Sequence, residues 1–258
     1  MASAPQEMSL PLFYNQLEPL SSQIHGDFNV RPMESAPHLA HTHAVPVTVE
    51  EFPMVQRFMP IVFSLGDDPV PLALMGLNEG VNTYFDDAGN LIENNFYLPA
   101  YARRYPFMLA RLRPDADELS LCFDPSAGAI GKFDEGQPLF ANGEPTELVK
   151  NVLEFNRQFE EAAQRTTQFM AELKELDLLT DGETTIQPDG AAQPFVYRGF
   201  LMVNEQKLQE LRGDQLRKMV QSGMLPLVYA HLYSLSMMRD IFARQMQQGK
   251  VPQPQLVS

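Results

Sequence analysis

Arg103 and Arg104 are adjacent cations set among Phe96, Tyr97, Tyr101, Tyr105 and Phe107, with Pro99 before them and Pro106 after, in a chain of net charge -14. Guanidinium groups among aromatic rings favour bidentate binding of carboxylate or phosphate, with stacking as support. Neighbouring residues on a helix point about 100° apart, so the two arginines cannot serve one flat surface. One is expected to meet a carboxylate at the edge of the core, Glu51 being the candidate, while the other faces a cleft. Two readings follow. Either a salt bridge pins the segment, or an anionic ligand is recognised by a set drawn from Arg103, Arg104, Glu51, Tyr101, Tyr105 and His231.

Three further groups could do chemistry. His38, His41 and His43 form H-x-x-H-x-H, and in an extended segment His41 and His43 point to one side, as a shared metal requires. Glu50 or Glu51 would complete two histidines and a carboxylate, although the spacing matches no established zinc signature; no other cofactor is expected. His231 sits in an apolar helical pattern one turn from Leu227 and Leu235, with Ser234 three residues on, where a satisfied core histidine is the ordinary outcome. Cys122, the single cysteine, permits no intramolecular disulfide and reads as a quiet thiol on a strand. The chain holds no G-x-S-x-G, G-x-G-x-x-G or Walker-type loop.

The positioning elements follow from local pattern. Pro99 suits the first turn of a short helix, and Pro106 stops it at or before Tyr105. Ala44–Val49 reads as a strand and 50–58 as a short helix. Ile61–Phe63 and 70–75 read as strands joined through the turn residues Gly66-Asp67-Asp68-Pro69. Strands are expected over 107–112 and 119–123, split by a turn at 114–117. From 145 to 178 the apolar positions recur at three or four, giving one amphipathic helix or two broken near Thr166-Thr167. Residues 181–194 read as polar turns and 195–203 as one strand. Asn204 is a good N-cap, and Gly223 closes a helical turn set. The last element, 225 to about 247, is apolar almost all round, as a helix buried in a core or an oligomer interface is.

Strands with short helices followed by mostly helices predict an α+β class, mainly antiparallel in the N-terminal half and helical in the C-terminal half. Residues 1–40 read as an irregular arm, 41–248 as a single domain and 249–258 as a loose tail. The charge, with a pI near 4.7, argues against nucleic acid and anionic membranes. No run reaches the ~18 apolar residues of a membrane helix. Without a basic region followed by an apolar one at the N-terminus, no secretory signal is expected and the default location is the cytoplasm.

The segment 97–107 and several smaller pieces in the same order resemble the bacterial SapC family. Those pieces are Val45-Pro46-Val47 with Glu51-Phe52, Pro60-Ile61-Val62-Phe63, Leu74-Met75-Gly76-Leu77, Asn82 with Gly89, Gly199-Phe200, Gly223-Met224-Leu225, and 229–235. The resemblance covers about 45–242. Where the family often has a further aromatic after the Gly89 turn, this chain has Leu91-Ile92-Glu93, so no role is carried to that position. The family is named after a protein linked to a surface layer, and its members tend to be encoded near outer-membrane receptors, cupin-like oxygenases and flavin-dependent halogenases. The resemblance carries no catalytic residues across. It implies an interaction or accessory protein with a protein or peptide partner, surface-layer association included. The competing implication is an enzyme, or an accessory subunit of an oxygenase or halogenase system, holding an anionic peptide or metabolite through Arg103 or Arg104. Self-association through the last apolar helix is a further expectation.

Overall fold

Alternating apolar residues on either side of the 66–69 turn pair as expected. In the computed structural model, which describes residues 10–93, 95–112, 118–188 and 193–251, Ile61–Phe63 lies antiparallel to Pro71–Leu74 with Val62 opposite Leu72. The described residues fall into two compact units, one within Met1–Glu34 and Arg104–Glu160, the other within Ser35–Arg103 and Glu161–Ser258.

The first unit is built on Phe107–Ala110 paired with Ser120–Phe123, which pairs in turn with Glu18–Pro19. The turn expected at 114–117 lies outside the described residues. Phe107, Phe123, Ile130, Leu139, Phe140 and Val149 form its core. Cys122 is buried there, and burial pushes its thiol up, which keeps it protonated. Asn29–Val30 lies between Ile130–Gly131 and Gln137–Pro138. Within the stretch that reads as an irregular arm, Tyr14 is buried and its hydroxyl donates to the Phe107 carbonyl at 2.7 Å. Short strands and a one-turn helix, Ser22–His25, accompany it. Isolated aromatic residues in polar sequence have found core sites that no local periodicity announces.

The second unit carries a five-stranded antiparallel sheet in the order Leu179–Asp181, Leu201–Val203, Ile61–Phe63, Pro71–Leu74, Ala44–Pro46. Because strand side chains alternate, Ile61, Phe63 and Ala73 share one face and Val62, Leu72 and Leu74 the other. Phe63 meets Phe169 and His231 on the first face. On the second, Val62 joins Ile186, Phe200, Met238 and Phe242.

The structure departs from the sequence reading at several boundaries. Residues 44–58 give the strand Ala44–Pro46, a 3-10 turn Val49–Glu51 and the helix Phe52–Val55. Glu147–Glu175 is one helix; Thr166 does not break it, because its hydroxyl donates to the Ala162 carbonyl at 2.7 Å and accepts the Val49 N–H at 3.0 Å. The polar 181–194 stretch supplies the strand Thr184–Ile186, paired with Phe195–Tyr197. The single strand expected over 195–203 is two strands in different sheets, divided at Gly199, whose φ of 93° is a left-handed conformation that glycine tolerates. The last apolar stretch is Met224–Ser234, a 3-10 turn Leu235–Met237, and Met238–Gln247. The α+β class stands.

Candidate functional site

Thr48 and Glu51 begin the site. The Thr48 backbone N–H and hydroxyl both donate to Glu51 Oε2, at 2.9 and 3.0 Å, a capping box for the turn that follows. The other carboxylate oxygen, Oε1, faces the arginine segment, accepting the Ala100 N–H at 2.6 Å and the Tyr97 hydroxyl at 3.0 Å. Ala100 opens the helix Ala100–Arg104, whose first N–H groups have no intrahelical partner. A carboxylate 49 positions earlier in sequence therefore caps it. Glu51 is buried, with four donors on its two oxygens.

Tyr97 passes this anchoring outward. Burial first, then the neighbouring Glu51 charge, pushes its phenol up to about 12, so it remains a donor to Glu51. The same oxygen accepts from Arg103 Nη2 at 3.2 Å, and the Arg103 guanidinium lies 5.5 Å from the centre of the Tyr97 ring. Arg103 is exposed. Arg103, Tyr97 and Glu51 thus form one chain of hydrogen bonds within the second unit, from a surface cation to a buried carboxylate.

Arg104 has the opposite setting. Only 6% exposed, it pairs through Nη1 with Glu160 at 3.1 Å, and its guanidinium sits 4.2 Å from the centre of the Phe159 ring. The 100° offset along one helical turn separates the two environments. Tyr101 and Tyr105 are buried. Tyr105 packs edge-on against Tyr14 at 5.2 Å, and burial raises its phenol, with Asp124 adding to the shift.

His231 belongs to a different construction. It is fully buried and stacked on Phe63 at 4.5 Å. Its Nε2 accepts the Val203 N–H at 3.1 Å, so the proton resides on Nδ1, which donates to the Ile61 carbonyl at 2.8 Å. Burial lowers its pKa to about 4, leaving a neutral ring. Ser234 meets the His231 backbone rather than its ring: its hydroxyl donates to the His231 carbonyl at 2.6 Å and accepts the Ile61 N–H at 2.8 Å. The pair fastens the helix Met224–Ser234 to the strand Ile61–Phe63.

The three N-terminal histidines are differently placed. Burial lowers the His38 pKa to about 4, His41 is exposed, and the His43 carbonyl accepts the Met75 and Gly76 N–H groups. Glu50 is paired with Arg165, and Glu51 is engaged as described. Among the described residues no group of three or more His, Cys, Asp or Glu side chains is placed to hold a metal ion.

Sequence reasoning missed two partners. Tyr97 was visible as one aromatic in a rich segment, but its role depends on Glu51 reaching it. Glu160 lies 56 positions from Arg104, on a helix with many acids, and nothing local singles it out. Chemically, the arrangement ties the exposed Arg103 cation, through the Tyr97 hydroxyl, to a buried carboxylate. Glu51, with both oxygens occupied by donors, acts as an anchor. No helix among the described residues is long and apolar enough to cross a membrane. A family model described as SapC matches residues 20–241. No curated protein and no solved structure matches the chain.

Proposed function

Since the chain belongs to the SapC family, we propose that it is an interaction or accessory protein that presents Arg103 to an acidic group on a protein or peptide partner. The observation that carries this reading is the mounting of Arg103: exposed, 5.5 Å from the centre of the Tyr97 ring, and tied through that hydroxyl to buried Glu51. Ordering a long side chain costs entropy on binding. A guanidinium already held by a ring and a hydroxyl has met part of that cost, and arginine and tyrosine are enriched where binding energy concentrates. An acidic protein surrounding one pre-set cation also selects against indiscriminate acidic partners, since like charge elsewhere repels them. Surface-layer association, which the family resemblance implies, makes a surface-layer protein one partner to test.

The test is titration of fluorescently labelled acidic peptides into wild-type protein, Arg103→Lys and Arg103→Ala, followed by fluorescence polarisation at low salt. The expected result is saturable binding of at least one peptide, weakened tenfold or more by Arg103→Lys, with melting temperature unchanged. Binding that ignores both substitutions, or no binding by any acidic peptide, contradicts the proposal.

A further inference from the structure

The five-stranded sheet of the second unit opens where two of its strands diverge. Ile61–Phe63 and Leu201–Val203 meet at one residue pair, Phe63 opposite Leu201. Beyond that pair Gly199 leads one strand off into Phe195–Tyr197, and Ser64 leads the other into its hairpin turn. An open cleft of about 240 Å³ lies at this divergence, with Val62, Leu72 and Met238 in its apolar lining and His43, Glu79 and Arg198 in its polar lining. The acid and the arginine are in different states. Arg198 gives Nε and Nη2 to the Glu183 carboxylate, each at 2.6 Å, whereas Glu79 has neither a hydrogen bond nor an ion pair among the described residues. Glu79 lies on a tightly closed loop: a Cβ at Gly76 would lie 1.9 Å from the Val81 carbonyl oxygen, so only glycine lets the loop ends approach this closely. The loop is tied to the helix Met238–Gln247 by Gln245, which is fully buried. Its Oε1 accepts the Leu77 N–H at 2.7 Å, and its Nε2 donates to Asn78 Oδ1 at 2.9 Å.

We propose that this cleft binds a primary ammonium ion carried on a short apolar body, either a free amine or the side chain of a lysine in a peptide. The Glu79 carboxylate answers the ammonium, and the apolar lining takes the body. The mixed lining suits such a ligand, because an ammonium brings three donors and no acceptor and needs acceptors beside it, while its carbon stem gains from leaving water. Size supports the class: a cavity of about 150 Å³ takes a benzene, so this cleft has room for one ring or one side chain, and its open mouth admits the end of a larger molecule. Charge supports the sign. The arginine in the lining is already neutralised by Glu183, Glu79 is not neutralised by any described residue, and a net charge of -14 gathers cations and repels anions. The inference is independent of the Arg103 reading and uses none of its residues.

Phenethylamine, 2-phenylethanol and phenylacetate test it, being of similar shape with a cationic, neutral or anionic end. Each is titrated at pH 7 into the full chain while the methyl resonances of Val62, Leu72 and Met238 are followed by NMR. Phenethylamine is expected to bind saturably at one site, at least fivefold more tightly than 2-phenylethanol, with phenylacetate weakest. Glu79→Gln keeps the shape of the side chain and removes its charge. It should bring phenethylamine down to the affinity of 2-phenylethanol while leaving the alcohol and the melting temperature unchanged. Nα-acetyl-lysine amide separates the two sources: saturable shifts of the same methyls identify a peptide lysine, and their absence alongside phenethylamine binding identifies a free amine. No saturable shift with phenethylamine overturns the proposal. So does a preference for the cation that persists in Glu79→Gln, since the general acidity of the protein, and not this cleft, would then be its cause.

Discussion

The surroundings of Glu51 and of Tyr197 lie in the same unit and treat a buried polar group in opposite ways. Glu51 has two oxygens and four donors, drawn from Thr48, Tyr97 and Ala100. Tyr197 has a shielded hydroxyl and no partner among the described residues. A fully satisfied network makes the fold specific, because every alternative arrangement leaves something buried and unpaired. An unsatisfied group does the reverse, costing stability in the free protein and holding a donor in reserve. The contrast distinguishes a polar group that holds the chain together from one whose burial costs stability.

Removing Glu51 is the severest way to break this comparison. Glu51→Ala leaves the Thr48, Tyr97 and Ala100 donors buried without their acceptor, and the expected loss is about 4 kcal/mol, read by urea denaturation. A loss under about 1 kcal/mol would mean that water or a neighbour replaces the carboxylate at little cost.

Acid tests the His231 fastening next. Its pKa is about 4 in the folded protein against about 6.5 unfolded, so between these values the unfolded chain binds the extra proton. Stability is therefore full above pH 6.5, falls as the pH drops toward 4, and levels off below. The expected contribution is about 3 kcal/mol. His38, lowered to about 4 as well, acts in the same direction. Denaturation at pH 7 to 4, repeated for His231→Gln, should show a shallower slope in the variant by about one proton.

The two arginines sharpen the comparison with smaller effects. Arg104→Ala leaves half-exposed Glu160 without its cation and removes the contact with Phe159, for an expected loss of about 2 kcal/mol in the same urea assay. Arg103→Ala should change stability by less than about 0.5 kcal/mol, as exposed charges commonly do. Equal losses from the two would erase the distinction between buried and presented guanidinium.

Much of the frame was legible in the chain itself. The proline-bracketed helix, the 61–74 hairpin, the Asn204 cap and the change from strands to helices all rest on contacts within a few residues, where turn chemistry and periodicity act. The partners of the arginines were not legible, because Glu160 and Tyr97 acquire their roles only when distant segments meet. The strand Thr184–Ile186 was hidden by polar residues that face solvent on one side, and the division at Gly199 by an apolar run that continues across it. Tyr197 reads in the sequence as one more strand aromatic. A missing hydrogen-bond partner is a property of three-dimensional placement and leaves no trace in composition or spacing.

The most direct measurement sets Glu51→Ala and Tyr197→Phe side by side in urea denaturation of the ligand-free protein at pH 7. Opposite signs are predicted: a large loss for the first, and for the second a gain of about 0.5–1 kcal/mol, because a buried unpaired hydroxyl disappears. Destabilisation by both substitutions would contradict the account, since the Tyr197 hydroxyl would then be doing the same structural work as the Glu51 carboxylate.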